Sequence, residues 1–273
     1  MAVAIPGAVP TAMDDYLFDL RGYLHLEQVL KPSDIDALNA GIDALLPMQP
    51  HEWKGHVHRH DGGTSNQVHL QNIYEAGEAF EQLIDHPAWI NYINRYVGGD
   101  DGLFIDEAFL IAQAEGPGQQ FHSGGHKRKI RTQFRFHNNE FRCGQVNVLI
   151  ALTDIGPGDG PTMVIPGSHK SNLPHPVYHL SDRRLGNVDV EGATPVYYKA
   201  GDALLFVDCL SHAGGPRTNP GERRVLIYRY GPHWGHNRYG YIPSPELLAR
   251  LTPTQRRILQ PIPPQRPSSC RDV

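Results

Sequence analysis

Ala203-Leu204-Leu205-Phe206-Val207 is a run of five apolar residues that opens after Gly201-Asp202; Ser211-His212-Ala213, Gly214-Gly215 and then Arg223 follow it. A short apolar run bounded by turn residues reads as a buried strand. Residues 224–230 read as the next strand, predicted to pair near it. Working outward, residues 103–111, 145–152, 162–165 and 195–198 share this character. They are short, rich in β-branched or aromatic residues, and separated by Gly, Pro and Asp. Strands late in the chain and helices early predict a mainly β protein with flanking helices, arranged as a sandwich or jelly roll.

The early segments predict less regular structure. Residues 1–12 read as a loose terminus, and Tyr16–Leu24 as a short strand and turn. Pro32-Ser33-Asp34 opens a helix with Ser33 as its N-cap, and Ile35, Leu38, Ile42, Leu45 and Leu46 follow helical spacing. A second helix is expected over about residues 87–97. In the tail, Ser244-Pro245-Glu246 carries a cap, a first-turn proline and an acidic first turn; Thr252-Pro253 restarts the pattern, and the prolines from Pro261 to Pro267 end it. The expected organisation is one domain over residues 13–265, with a tail at 266–273.

With 273 residues, 40% hydrophobic and 20% charged, the chain suits one large globular domain. A formal net charge of −4 argues against a nucleic-acid polymer as partner. No basic leader and no long apolar run is present, so the expectation is a cytoplasmic protein without a membrane span. Three widely spaced cysteines, Cys143, Cys209 and Cys270, fit neither a disulfide framework nor a zinc motif. Cys143 and Cys209 are expected to be reduced and buried.

The chemistry gathers around two of the sixteen histidines. His122, in Phe121-His122-Ser123-Gly124-Gly125, follows a strand and a Gly116-Pro117-Gly118 turn. His212 follows the strand at 203–207. Both are expected at strand ends where side chains converge on a cavity. Neutral imidazoles suit ferrous iron, and a two-histidine, one-carboxylate set leaves positions open for an oxoacid and dioxygen. Arg223, or its neighbour Arg224, offers a guanidinium able to grip a carboxylate through a bidentate fork; strand alternation lets only one of them face inward.

Four stretches together resemble the phytanoyl-CoA dioxygenase family of iron(II)/2-oxoglutarate enzymes. They are Tyr16–Leu24 with the helix after it; His122 with its glycine loop; Leu152-Thr153-Asp154 through Gly160 to Ile165-Pro166-Gly167-Ser168-His169-Lys170; and Ala200-Gly201-Asp202 through His212 to Arg223. The resemblance implies a double-stranded β-helix (cupin-like jelly roll) with His122 and His212 on iron(II), Arg223 on 2-oxoglutarate, and O2 as co-substrate. His169 belongs to the family's structural loop and is expected to pack or hydrogen-bond rather than ligate.

Gly124 departs from that pattern, because it stands where the hydroxylases carry a carboxylate. The halogenating branch of the superfamily has a small residue there, with chloride in the vacant position. The resemblance therefore implies a halogenase in which Gly124 marks the halide site. Two alternatives stand beside it. In a hydroxylase, Glu140, Asp154 or water would complete the iron site; in a silent binding protein, the site would be dead. His126-Lys127-Arg128, with Arg135 shortly after, follows the His122 loop and favours a phosphorylated or otherwise anionic substrate, if it is more than a solvated charged face. The chain is similar to the nucleotide halogenases of chlorinated nucleoside antibiotic pathways. That implies deoxyadenosine monophosphate (dAMP), chlorinated at the sugar 2′ carbon. An acyl group tethered to a carrier protein is the rival substrate.

Overall fold

In a computed structural model, residues 7–60, 65–98, 102–129, 133–179, 189–233 and 242–259 are described. Residues 1–6, Arg131, His236, the prolines after Leu259 and Cys270 lie outside them.

The chain opens with helix α1 (Ala12–Arg21) rather than the strand expected from Tyr16 onward. Its start is written in Thr11 and Asp14, which form a capping box, and Gly22 at φ 83° ends it in the left-handed conformation. The preceding residues are held as well: the Ala8 N–H donates to Pro87 O, and the Asn91 amide donates to Ala8 O. Helix α2 (Pro32–Asp43) begins where expected, but Lys31 is its N-cap, and the Asp34 carboxylate accepts from the Lys31 N–H. The helix expected near 87–97 forms as one α-turn at Ile90–Ile93 followed by a π-helical turn at Asn94–Gly98.

The strands are β1 (Tyr23–Leu26), β2 (Trp53–Lys54), β3 (Val57–His60), β4 (Gln67–Gln71), β5 (Leu103–Gln113), β6 (Phe136–His137) and β7 (Glu140–Phe141). They continue with β8 (Val146–Ala151), β9 (Thr162–Val164), β10 (Thr194–Val196), β11 (Ala203–Val207), β12 (His212–Gly214) and β13 (Arg223–Pro232). Eight of them build one antiparallel sheet in the order β1-β11-β8-β13-β5-β4-β3-β2. A smaller sheet runs β10-β9-β12, and β6-β7 is a hairpin. Two sheets with antiparallel strands and helices outside them give the mainly β, jelly-roll architecture.

Strands β2, β3 and β4 extend the large sheet beyond β5. The main apolar core lies between the large sheet and the helices, around Trp89, Tyr96, Tyr228 and Tyr230. Three of these groups are bonded internally: Tyr228 donates to Phe80 O, Tyr230 to Leu83 O and Ile84 O, and Trp89 Nε1 to Tyr230. Cys143 and Cys209 are free and buried. Among the described residues, no helix is long and apolar enough to cross a membrane.

Candidate active site

His122 and His212 are 90 residues apart in sequence and become neighbours through a two-bond bridge. The His122 N–H donates to His212 O at 3.0 Å, and the His212 N–H donates to His122 O at 3.2 Å. Directly opposed residues of an antiparallel pair present their side chains on the same face, so the two imidazoles meet with centroids 4.1 Å apart. Each ring contacts a backbone carbonyl through Nδ1: His122 with Gln120 O at 3.0 Å, His212 with Leu210 O at 2.7 Å. A carbonyl only accepts, so both Nδ1 atoms carry the proton and both Nε2 atoms keep a lone pair. This is the tautomer a metal ligand needs. Burial pushes the pKa of His212 down to about 3 with further help from His122; the His122 ring is open to the cavity, and desolvation by the surrounding walls lowers its pKa too, so both stay neutral and able to coordinate.

The loop carrying His122 is fixed from behind. The Tyr178 hydroxyl lies 3.1 Å from His122 O, 3.1 Å from Ser123 O and 2.7 Å from Ser211 Oγ, so one phenol joins both histidine segments. Ser168, in the Pro-Gly-Ser-His turn, accepts from the Ser211 N–H at 2.8 Å. The same turn explains Gly125, where a Cβ would stand 2.2 Å from His169 O. His169 is 1% exposed and its Nε2 donates to Asp19 O at 2.9 Å, so it braces α1 rather than facing the cavity.

Gly124 has φ +101°, a conformation that favours glycine. A Cβ there would lie 2.6 Å from His126 Cε1 and 3.2 Å from Ser211 Oγ, and neither residue lines the cavity. Among the described residues, no group of three His, Cys, Asp or Glu side chains is placed to hold a metal. Glu140 and Asp154, the carboxylates considered as substitutes, are paired with Arg142 and Lys199 on the surface.

The two imidazoles open into a cavity of about 490 Å³ whose floor is the large sheet. Alternation along β13 turns Arg223, Ile227 and Arg229 into it, while Arg224 points out to Glu222, Asp43 and Asn39. Arg223 is 4% exposed, donates through Nη1 to Gly160 O, and leaves its buried Nε without a hydrogen-bond partner. Thr162, whose hydroxyl pairs with Tyr198 at 2.6 Å, lines the cavity beside it. A buried guanidinium with no carboxylate partner among the described residues fits the distal carboxylate of an oxoacid. The residues present thus fit 2-oxoglutarate and two of the three protein ligands of an iron site.

Residues 18–225 match the family described as phytanoyl-CoA dioxygenase (PhyH). The chain belongs to the phytanoyl-CoA dioxygenase family. It is by family a non-haem iron, 2-oxoglutarate-dependent oxidoreductase. Among its curated relatives are the dioxygenase cdmD of Talaromyces verruculosus, 23% identical over 88% of this chain and 78% of that protein, and the ectoine dioxygenase of Nocardia farcinica, 24% identical over 77% and 74%. Among solved structures, HygX from Streptomyces hygroscopicus with nickel and 2-oxoglutarate bound superposes with a TM-score of 0.70. It is 20% identical and covers 82% of this chain and 88% of its own. The carbocyclase SnoK of nogalamycin biosynthesis superposes at 0.61, 15% identical over 94% of both chains.

Within this PhyH protein the basic run stands apart from the cavity. His126 and Lys127 lie against the Tyr178 ring, Arg128 bonds Asn172, Arg135 is exposed, and none of the four lines the cavity. Two charged residues that sequence reasoning passed over do line it. Glu107 and Arg229 are register partners on β5 and β13, joined at 2.6 Å. The signal for them was a charge at an inward phase of an otherwise apolar strand.

Proposed function

We propose that this protein couples oxidative decarboxylation of 2-oxoglutarate to functionalisation of an unactivated C–H bond in a small polar molecule. In this reading a halide takes the coordination position that no protein carboxylate fills, and the product is chlorinated. Bound iron would activate O2, which is the oxidant. The chain's own part is positional: His122 and His212 offer two neutral Nε2 lone pairs, Arg223 fixes the oxoacid tail, and the cavity holds the carbon to be attacked beside the histidines. The observation that carries the reading is the pairing of two correctly protonated imidazoles with Arg223 in one cavity, with no third ligating side chain among the described residues. The resemblance to nucleotide halogenases makes dAMP the first substrate to test.

Hydroxylation is the second reading, and one observation favours it. The backbone at Gly124 and the closeness of His126 and Ser211 already account for a glycine there, without a halide. Product analysis separates the two. Protein, iron(II), 2-oxoglutarate, O2 and dAMP are incubated with and without chloride. The halogenase reading expects a monochlorinated product only with chloride. Equal turnover to a hydroxylated product without halide replaces it with the second reading, and absence of any product from dAMP removes that substrate.

A further inference from the structure

We propose that Arg229, braced by Glu107, selects the substrate, and that it selects an uncharged end carrying an oxygen that accepts a hydrogen bond, such as an amide, carbonyl or hydroxyl. The guanidinium is held on two sides. Its Nη1 donates to Glu107 Oε2 at 2.6 Å, and its carbon sits 4.8 Å from the centre of the Phe109 ring. Glu107 is fixed in turn by the Gln71 amide at 2.9 Å. Yet the buried Nε of Arg229 has no hydrogen-bond partner, and the side chain lines the cavity. A buried donor without a partner is costly, and an oxygen brought by a ligand removes that cost.

The ligand concerned is not 2-oxoglutarate. Arg223 and Arg229 face the same side of β13 with their Cα atoms about 20 Å apart, and an oxoacid with its tail on Arg223 would have its other end at the histidines. The oxoacid held at Arg223 leaves Arg229 to the second substrate; this step rests on the reading of Arg223 given above.

Charge decides what that substrate presents. Histidines apart, the acidic and basic side chains lining the cavity among the described residues are Arg223, Arg229 and Glu107. Arg223 lacks a carboxylate partner and suits an anion. Arg229 is already neutralised by Glu107, so a phosphate placed against it would also meet the Glu107 carboxylate. Lys127, Arg128 and Arg135, which would welcome a phosphate, do not line the cavity. A nucleotide would therefore enter by its uncharged nucleoside end, with the phosphate kept away from this pair.

The test is anaerobic calorimetry on the iron(II)- and 2-oxoglutarate-loaded protein. The probes are deoxyadenosine, thymidine, glucose and N-acetylglucosamine, each with its phosphate ester. At least one uncharged probe is expected to bind no worse than about threefold weaker than its ester. Arg229→Leu is expected to weaken it by about tenfold or more, the value of a charge-assisted hydrogen bond, with 2-oxoglutarate affinity unchanged. Glu107→Gln, which keeps the shape and bares the positive charge, is expected to shift preference toward the ester by about tenfold. The proposal is overturned if only esters bind, if no probe binds, or if Arg229→Leu leaves affinity unchanged, as a purely structural bridge between β5 and β13 would. Failure of the underlying reading looks different: the wild-type protein then does not bind 2-oxoglutarate at all.

Discussion

Replacing Gly124 with aspartate places a carboxylate two residues after His122, where hydroxylases of this superfamily carry one. The substitution must overcome the local backbone. At φ +101° a non-glycine residue costs about 1–3 kcal/mol. Its Cβ would also stand 2.6 Å from the His126 ring, which has to swing aside, and 3.2 Å from Ser211 Oγ. Because His126 is only partly buried, it can move, so backbone strain sets the magnitude. At roughly 2–4 °C per kcal/mol for a domain of this size, Tm should fall by about 2–12 °C. The new side chain starts toward His126 and Ser211, outside the cavity lining. The expected result is loss of chlorinated product, with hydroxylation arising only if the loop turns the carboxylate inward. Thermal melts of the metal-free protein and mass spectrometry of the products measure both effects. An unchanged Tm together with unchanged chlorination would refute the reasoning about strain and about the open position alike.

Arg223→Leu should weaken 2-oxoglutarate by about a hundredfold, from loss of charge-assisted bonds, while iron(II) affinity measured without the oxoacid stays near wild type. His122→Ala or His212→Ala should do the reverse and abolish iron binding in calorimetry. Tyr178→Phe removes the hydroxyl shared by His122 O, Ser123 O and Ser211 Oγ. It should loosen iron(II) by about fivefold, the equivalent of one net hydrogen bond, with a smaller change in the Tm of the metal-free protein. Acid should destabilise the fold through His69 and His169, whose pKa values burial lowers to about 4. Their neutral forms are favoured in the folded state, so the stability they contribute is complete above the ordinary value of 6.5 and is lost as pH falls toward 4. Tm measured from pH 7 to pH 4 should decline across that window, and His169→Gln should flatten the decline.

The apolar strands were legible because their residues state their burial: β11 runs from Ala203 to Val207 as read, and β5, β8 and β13 differ from expectation only at their ends. Strands β3 and β4 were hidden, because His60, His69 and Gln71 present polar side chains to a cavity rather than apolar ones to a core. Helix α1 was misread for a related reason: Met13, Tyr16 and Leu20 are exposed, so its apolar residues do not mark a buried face. At the site, His122, His212 and Arg223 were legible from their strand-end context and the family resemblance, and the structure brings them to one cavity. The Glu107–Arg229 pair was obscured by the dense charge at 126–131, which is conspicuous in sequence, while the described His126, Lys127 and Arg128 stay clear of the cavity lining.

The most direct test of the account is a crystal structure of the anaerobic complex with iron(II), 2-oxoglutarate and chloride, with anomalous scattering used to identify the halide. The expected result has His122 Nε2 and His212 Nε2 on the metal, the 2-oxoglutarate tail on Arg223, and chloride in the remaining coordination position. A carboxylate oxygen of the protein in that position, or a metal bound away from the two histidines, would contradict it.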